Sequence, residues 1–320
     1  MTAARIWPTA PVTGDEMQLT NSRNTVLLNP RIIQFGSPGC GKTLSAASIS
    51  KYFPECIWRG EKPKQHVHLK DLLFIMFDNG GLDSLAEWNL SAPVLPYTYT
   101  KVINGKPTTV TDPDHSCVSG AAVEAAIEQI GRDLAPAIAE HAIEAVVVDT
   151  LSSFDTTNVA YQKNKFANEK DQRRIWGHVQ GLHLRLDEIL KSVRTPVVYN
   201  CHAKNNMEAI EKEKDAQEAP RQAAGIQVDG NWVIPEITGA TFRTYNAKAS
   251  LILPMTSARV NRGGKMVFER KYHPLGYQSL TFKSRFQTLL DKEEPTNLRA
   301  VLEKIKSRIH LLDEVPMSGE

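Results

Sequence analysis

Short, nearly continuous apolar runs alternate along this chain with longer stretches in which apolar residues recur every three or four positions. The short runs lie at residues 31–35 (RIIQF), 72–77 (LLFIMF) and 145–148 (AVVV), with a fourth opening at 196–199 within TPVVYNCH. Runs of this length predict buried strands. Helical spacing is carried by Leu44, Ala47, Ile49 and Phe53 before Pro54. It recurs in Val123, Ile127, Ile130 and Leu134, and again in Ile175, Val179, Leu182, Leu186, Ile189 and Val193. These predict helices over 43–53, 122–134 and 175–193. Further strands are predicted at 244–254, 265–272 and 279–283. A final amphipathic helix starts at Pro295-Thr296 and carries Leu298, Leu302, Ile305 and Ile309.

Strands alternating with helices imply an α/β fold with a mostly parallel sheet and helices on both faces. The later strands, joined by short Gly turns, add an antiparallel extension at one edge. Residues 1–29 are polar and irregular and read as an N-terminal arm, followed by a main domain over 30–290 and a C-terminal helix and tail over 291–320. Within the main domain, 54–70 reads as a loop. An insertion at about 91–120 is rich in Pro, Thr, Ser and Gly, and Asn104-Gly105 marks a hairpin turn between 97–102 and 107–110. Residues 203–236 are charged and then Gly-rich, which predicts a long mobile loop with a short helix at its start.

Composition narrows the picture mainly by exclusion. The chain of 320 residues is 41% hydrophobic and 23% charged, with a net charge of +2, so any basic surface has to be a local patch. No stretch approaches the roughly 20 apolar residues of a membrane helix. The N-terminus has no basic stretch followed by an apolar run. Cys40, Cys56, Cys117 and Cys201 are scattered, which points to a reduced, cytoplasmic setting.

The clearest chemistry follows the first strand. Gly36-Ser37-Pro38-Gly39-Cys40-Gly41-Lys42-Thr43 is a complete GxxxxGK[ST] phosphate-binding loop between a strand and a helix. Its glycines let backbone N–H groups turn towards phosphate oxygens. Lys42 reaches the β and γ phosphates, and Thr43 offers its hydroxyl to Mg²⁺. ATP and Mg²⁺ are therefore the expected cofactors.

A second acid is needed to hold the metal from the far side. Asp149 ends the apolar strand 145–148 and is the first choice. Asp78, at the end of the competing strand, is the alternative. If Asp149 takes the metal, Asp78 and Asn79 are left to position the attacking water.

The order of phosphate loop, strand ending DNGGL, strand ending DTLSSF and strand ending NCHAK resembles the RecA-like P-loop ATPase core. It is most similar to phage ATP-binding proteins of that superfamily, including the Sak-type single-strand annealing proteins. The matching pieces are Gly80-Gly81-Leu82, His202, residues 235–239 (PEITG) and residues 282–286 (FKSRF), within about 31–287. The resemblance implies Asp149 as the Mg²⁺ acid and His202 as a sensor of the γ-phosphate. It implies DNA-facing loops at 204–236, which includes Lys204, and after Asp149, where Lys163, Lys165, Lys170, Arg173 and Arg174 lie. It further implies ATP-dependent action on single-stranded DNA in recombination or annealing, self-association into a ring or filament, and a bacterial or phage-infected cytoplasm. Two departures bear on turnover. Asn79 stands where the family places a catalytic glutamate, and Thr150 follows Asp149. An amide cannot accept a proton as a carboxylate can, so nucleotide binding is implied more strongly than hydrolysis.

Several features have a second reading. His202 also reads as a plain strand-end histidine. The basic stretch around Tyr161, Phe166 and Trp176 reads equally as a base-stacking surface or as the solvated face of a helix, with Glu169 and Asp171 diluting its charge. Arg270-Lys271 through Lys283 and Arg285 read as a finger crossing a subunit boundary to a neighbour's ATP, with Lys283 or Arg285 at its tip, or as cationic strand edges. Cys56, His66, His68 and Asp71 match no structural zinc spacing and read as a solvated loop. A nucleotide-gated assembly or motor ATPase acting on protein partners is the alternative function, favoured by Glu208, Glu211, Glu213 and Asp215.

Overall fold

The computed structural model describes residues 29–78, 80–95, 98–103, 106–111, 121–205, 226–228, 231–274 and 285–309. All four apolar runs are strands: β1 (Arg31–Gly36), β3 (Leu72–Met76), β8 (Ala145–Asp149) and β9 (Val197–Asn205). They pair in parallel in the order β1-β9-β8-β3. On the outer flank of β1, β12 (Leu251–Arg262) also pairs in parallel. The strand that feeds the phosphate loop is thus separated from the strand ending in Asp149 by one intervening strand. This is the strand order of the RecA-like P-loop core, a mostly parallel sheet flanked by helices.

Beyond β12, the strands β13 (Lys265–Tyr272) and β14 (Glu294–Pro295) run antiparallel and form the edge extension. At the opposite edge β5 (Val94–Leu95) pairs with β3. Within the stretch read as a loop, β2 (Val67–His68) pairs in parallel with β4 (Leu90–Ser91), at the start of the insertion. The hairpin β6 (Thr98–Ile103) and β7 (Lys106–Thr111) forms around the predicted turn.

Alternation along each central strand divides the core in two. Ile33, Phe35, Leu73, Ile75, Val146, Val148, Val197 and Tyr199 face one cluster. It is closed by α3 (Ala121–His141), α4 (Leu151–Lys165), α5 (Gln172–Ser192) and α6 (Gly239–Lys248). Ile32, Phe74, Met76, Val147, Val198 and Leu253 face the other. There they meet α1 (Lys42–Ala47), α2 (Gly80–Glu87) and α7 (Leu298–Arg308). The last helix begins at Leu298, two residues after the expected Pro295-Thr296 start because Pro295 pairs in β14, and Asn297 caps it by accepting a hydrogen bond from the Ala300 N–H at 3.1 Å, a contact worth about 1 kcal/mol.

Four expectations change. Helix α1 stops at Ala47 rather than Phe53. Ser48 turns its hydroxyl back onto the Ser45 carbonyl at 2.6 Å, and the following N–H groups bond three residues back instead of four. Helix α2 begins at Gly80, where only a turn is expected. Helix α4 occupies the stretch after Asp149 that was read as a DNA-facing loop. Helix α6 replaces the first half of the strand predicted at 244–254, because burial of Phe242 and Tyr245 on one helical face outweighs their β propensity.

The expected mobile loop at 203–236 is in part regular. Strand β9 continues to Asn205 and pairs with β11 (Asn231–Pro235), which pairs in turn with β10 (Ile226–Val228). The short helix expected near residue 206, the strand at 279–283 and the arm at 1–28 lie outside the described residues.

Candidate nucleotide site

The C-terminal ends of β1, β9, β8 and β3 line up along one edge of the sheet, where open α/β sheets place their ligands. Gly36 lies opposite His202, and Met76 lies opposite Asp149. The phosphate loop leaves β1 here. Gly39 and Gly41 adopt φ of 76° and 94°, left-handed values that suit glycine. A Cβ on Gly36 would sit 2.5 Å from the Met255 carbonyl oxygen, so β12 closes the loop from behind. The Lys42 ammonium donates to the Gly36 and Ser37 carbonyls, each at 3.0 Å, and lies 3.8 Å from the Cys40 sulfur. Burial pushes the Cys40 thiol up, and the neighbouring Lys42 pulls the other way.

Asp149 is fully enclosed. Its Oδ2 accepts from the Thr43 hydroxyl at 2.7 Å. Burial raises its carboxyl to about 6. The Thr43 hydroxyl opposes that rise and the Asp78 charge adds to it, while the Asn200 side chain and Lys42 hold it down. Asp78 stands apart from the metal pair. Its Oδ2 accepts from Thr150 Oγ1 at 3.0 Å and Ser153 Oγ at 2.7 Å, and its Oδ1 accepts from the Gly80 N–H at 3.1 Å. Asn79 lies outside the described residues.

His202 is half-buried. Its N–H donates to Ser152 Oγ at 2.9 Å, and among the described residues its Nδ1 has no partner. Burial lowers its pKa, helped by Lys42 and opposed by Asp78 and Glu236.

The hard oxygens of Thr43 and Asp149 suit Mg²⁺. The space beside them fits as well, because a Cβ on Gly81 would fall 2.5 Å from Asp149 Oδ2 and closer still to the Met76 methyl. Gly81 therefore keeps room for the carboxylate. In an ordinary helix, Gly→Ala would stabilise by about 0.5–1 kcal/mol. Here Gly81→Ala is expected to weaken Mg²⁺-dependent ATP binding on the order of tenfold with little change in melting. Calorimetric titration with and without EDTA measures this, and unchanged metal dependence would refute it.

Beneath the loop lies a row of buried polar side chains that motif reading missed. Gln34 donates to the Lys42 carbonyl at 2.7 Å and to Asn200 Oδ1. The Tyr272 hydroxyl donates to Gln34 Oε1 at 2.6 Å and lies against the Ser45 hydroxyl, which reaches the Thr296 carbonyl at 2.8 Å. The signal was present as a Gln and an Asn interrupting apolar strands, since polar groups buried there require partners.

The remaining candidates are spread more widely. Lys163 and Lys165 lie in the last turn of α4, Arg173 and Arg174 in the first turn of α5, and Lys170 between them. Lys165 pairs with Glu124 at 2.8 Å, Arg174 with Glu169 at 2.9 Å and Arg173 with Asp171 at 3.1 Å. The Lys204 ammonium is bound to the Ile237 carbonyl at 2.8 Å. Lys163 lies 5.6 Å from the centre of the Trp176 ring.

Lys271 pairs with Glu293 at 2.8 Å, and Arg270 lies against Gly41 of its own chain instead of extending from the edge. Lys283 lies outside the described residues, as does the side chain of Arg285, whose backbone opens a 3-10 turn. His66 and His68 both bond Ser91, and Asp71 bonds Ser50 and the Lys51 N–H. Among the described residues no cluster of three or more His, Cys, Asp or Glu is arranged to hold a metal ion. No described helix is long and apolar enough to cross a membrane.

No protein-family model matches the chain, and no curated protein matches it. Among solved structures it is similar to a KaiC-like protein from the hyperthermophilic archaeon Pyrococcus horikoshii OT3, at 11% identity and a TM-score of 0.35, over 80% of this chain and 82% of that one. It is also similar to the flagellar accessory protein FlaH from Methanocaldococcus jannaschii, at 9% identity and a TM-score of 0.32, over 87% and 93%.

Proposed function

We propose that this chain is a Mg²⁺-dependent, ATP-binding RecA-like switch with slow turnover that acts on single-stranded DNA. The observation that carries the nucleotide reading is the convergence of Lys42, Thr43 and Asp149 at one sheet edge, with Thr43 and Asp149 2.7 Å apart. Lys42 would hold the β and γ phosphates, and Thr43 and Asp149 would hold the metal, directly or through water. The bound metal would neutralise charge on the phosphate oxygens. Asp78, fixed by three donors, would orient the attacking water, and His202 beside Gly36 would sense the γ-phosphate. Slow turnover follows from Asn79 at the position of the usual base.

Lys42→Ala is expected to weaken ATP binding at least tenfold, as loss of a charge-assisted contact worth about 1.5–3 kcal/mol requires. Unchanged affinity in a titration would overturn the nucleotide reading.

The DNA reading is supported by the sequence resemblance and by Lys163 and Lys170, which among the described residues belong to no ion pair. Strand β9 would couple nucleotide state at His202 to the segment beyond Asn205. Self-association into a ring or filament belongs to the same reading. One observation favours the other reading, an assembly or motor ATPase working on protein: Lys165, Arg173 and Arg174 are each matched by a carboxylate. Titration of single-stranded DNA with and without ATP across a salt series separates the two. Nucleotide-dependent affinity that falls steeply with salt supports DNA. Absence of binding in both states rejects it.

A further inference from the structure

The phosphate loop is touched by a residue that no motif includes. Arg270, on β13, occupies the place where a side chain on Gly41 would begin. An added Cβ would lie 2.7 Å from its Nε, 2.9 Å from its Cδ and 3.2 Å from its Cζ. Gly41 is the left-handed residue immediately before Lys42. The Arg270 Nε is buried and has no acceptor among the described residues. A buried guanidinium N–H without a partner is costly and calls for an explanation.

The neighbours of Arg270 along the strand supply one. Residues two apart on a strand share a face and stand roughly 6.8 Å apart. On one side is Tyr272, fully buried and bound to Ser45 and Gln34, which anchors β13 to α1 and β1. On the other is Phe268, 56% exposed and the most exposed of the large hydrophobic residues described. Two guanidiniums flank its ring: Arg259, its cross-strand partner, at 5.2 Å, and Arg270 at 5.9 Å. An anchored tyrosine, a guanidinium at the phosphate loop and an open aromatic ring therefore follow in order along one face. The step between the last two is close to the separation of phosphate and base in a nucleotide.

We propose that β13 holds the nucleotide of its own chain, with the Arg270 guanidinium on a phosphate oxygen and the Phe268 ring stacked on the nucleobase. This rests on the nucleotide reading above and adds to it a cis anion ligand and a base platform. It also makes the glycine at 41 a requirement of the arginine, since any side chain there would displace Arg270.

The test is binding of MgATP, and separately of inorganic tripolyphosphate with Mg²⁺, to the full chain and its variants. Arg270→Ala is expected to weaken both about ten- to a hundredfold, with partial recovery in Arg270→Lys. Phe268→Ala is expected to weaken MgATP at least about fivefold and leave tripolyphosphate unchanged, with recovery in Phe268→Trp but not in Phe268→Leu. Melting curves of each variant separate these losses from unfolding.

If the wild-type chain binds neither probe, the nucleotide reading itself falls. If it binds both and Lys42→Ala loses them, while Arg270→Ala and Phe268→Ala keep wild-type affinity, only the present inference falls. Loss of single-stranded DNA binding in Phe268→Ala with MgATP affinity intact would overturn the base platform. Recovery of MgATP binding in an equimolar mixture of Lys42→Ala and Arg270→Ala chains would overturn the cis placement.

Discussion

Asp149→Asn is expected to melt at a higher temperature than the wild type at pH 7.5 without Mg²⁺, and to lose at least tenfold in Mg²⁺-dependent ATP affinity. The two effects have one cause. Burial raises the Asp149 carboxyl from 3.8 to about 6 in the fold. Between those values the native state keeps a proton that the unfolded chain has released. Stability therefore falls as pH rises through about 4 to 6, by on the order of 3 kcal/mol. Below that window the carboxyl is neutral in both states and costs nothing. Asparagine cannot ionise and still accepts from Thr43, so the variant escapes the loss. Its gain should amount to a few degrees at pH 7.5 and vanish near pH 4. Melting curves at the two pH values measure it. A variant that melts lower than wild type by the same amount at both values would show that the buried charge is not the cost inferred here. The charge that destabilises the protein alone is the one a divalent cation would use.

Asp155→Ala is expected to cost about 2–5 kcal/mol of stability. Asp155 is buried on α4 and accepts three contacts. His183 Nε2 of α5 lies 2.8 Å from its Oδ1, the Thr238 N–H lies 2.9 Å from its Oδ2, and the Thr238 hydroxyl lies 3.2 Å from its Oδ1. Truncation leaves His183 Nε2 and the Thr238 N–H without this acceptor, at roughly 1–3 kcal/mol each. Denaturant titration measures the loss, and a change below about 0.5 kcal/mol would mean that water replaces the carboxylate. Because Thr238 precedes α6, the loss should also loosen the start of that helix, visible as faster amide exchange at Phe242, whose N–H bonds the Thr238 carbonyl at 2.7 Å.

The parts of this architecture that were legible in the sequence are those written in apolar residues. Each of the four buried strands is built on an apolar run, broken only by Gln34 in β1 and ended by Asn200 in β9, and the phosphate loop announces itself through spacing. Helix α4 was illegible because, beyond Leu151 and Phe154, its buried face is polar: Ser152, Asp155, Asn158 and Gln162 are buried at helical intervals, and apolar periodicity is silent about such a face. The second half of helix α6 was misread because Thr244 and Tyr245 favour strands until the core claims Tyr245. In the site, Lys42, Thr43 and Asp149 were identifiable from motif and strand-end position. Gln34, Asn200 and Tyr272 were not, because their partners come from distant parts of the chain. Arg270 was read as a residue reaching outward, and only the turn of β13 back over Gly41 reveals its neighbour.

The buried row from Tyr272 to Asn200 has a polarity. The Lys42 carbonyl can only accept, so it dictates which end of the Gln34 amide carries the hydrogens. That choice makes Asn200 Oδ1 an acceptor and obliges the Tyr272 hydroxyl to donate to Gln34 Oε1. One backbone carbonyl thereby orients three side chains across β13, β1 and β9. Amides neither take up nor release protons near neutral pH, so the row conducts no charge between the acid strand and the edge hairpin. It transmits orientation alone, and Gln34→Glu, which sets acceptors against acceptors, would scramble that orientation while leaving every strand in place.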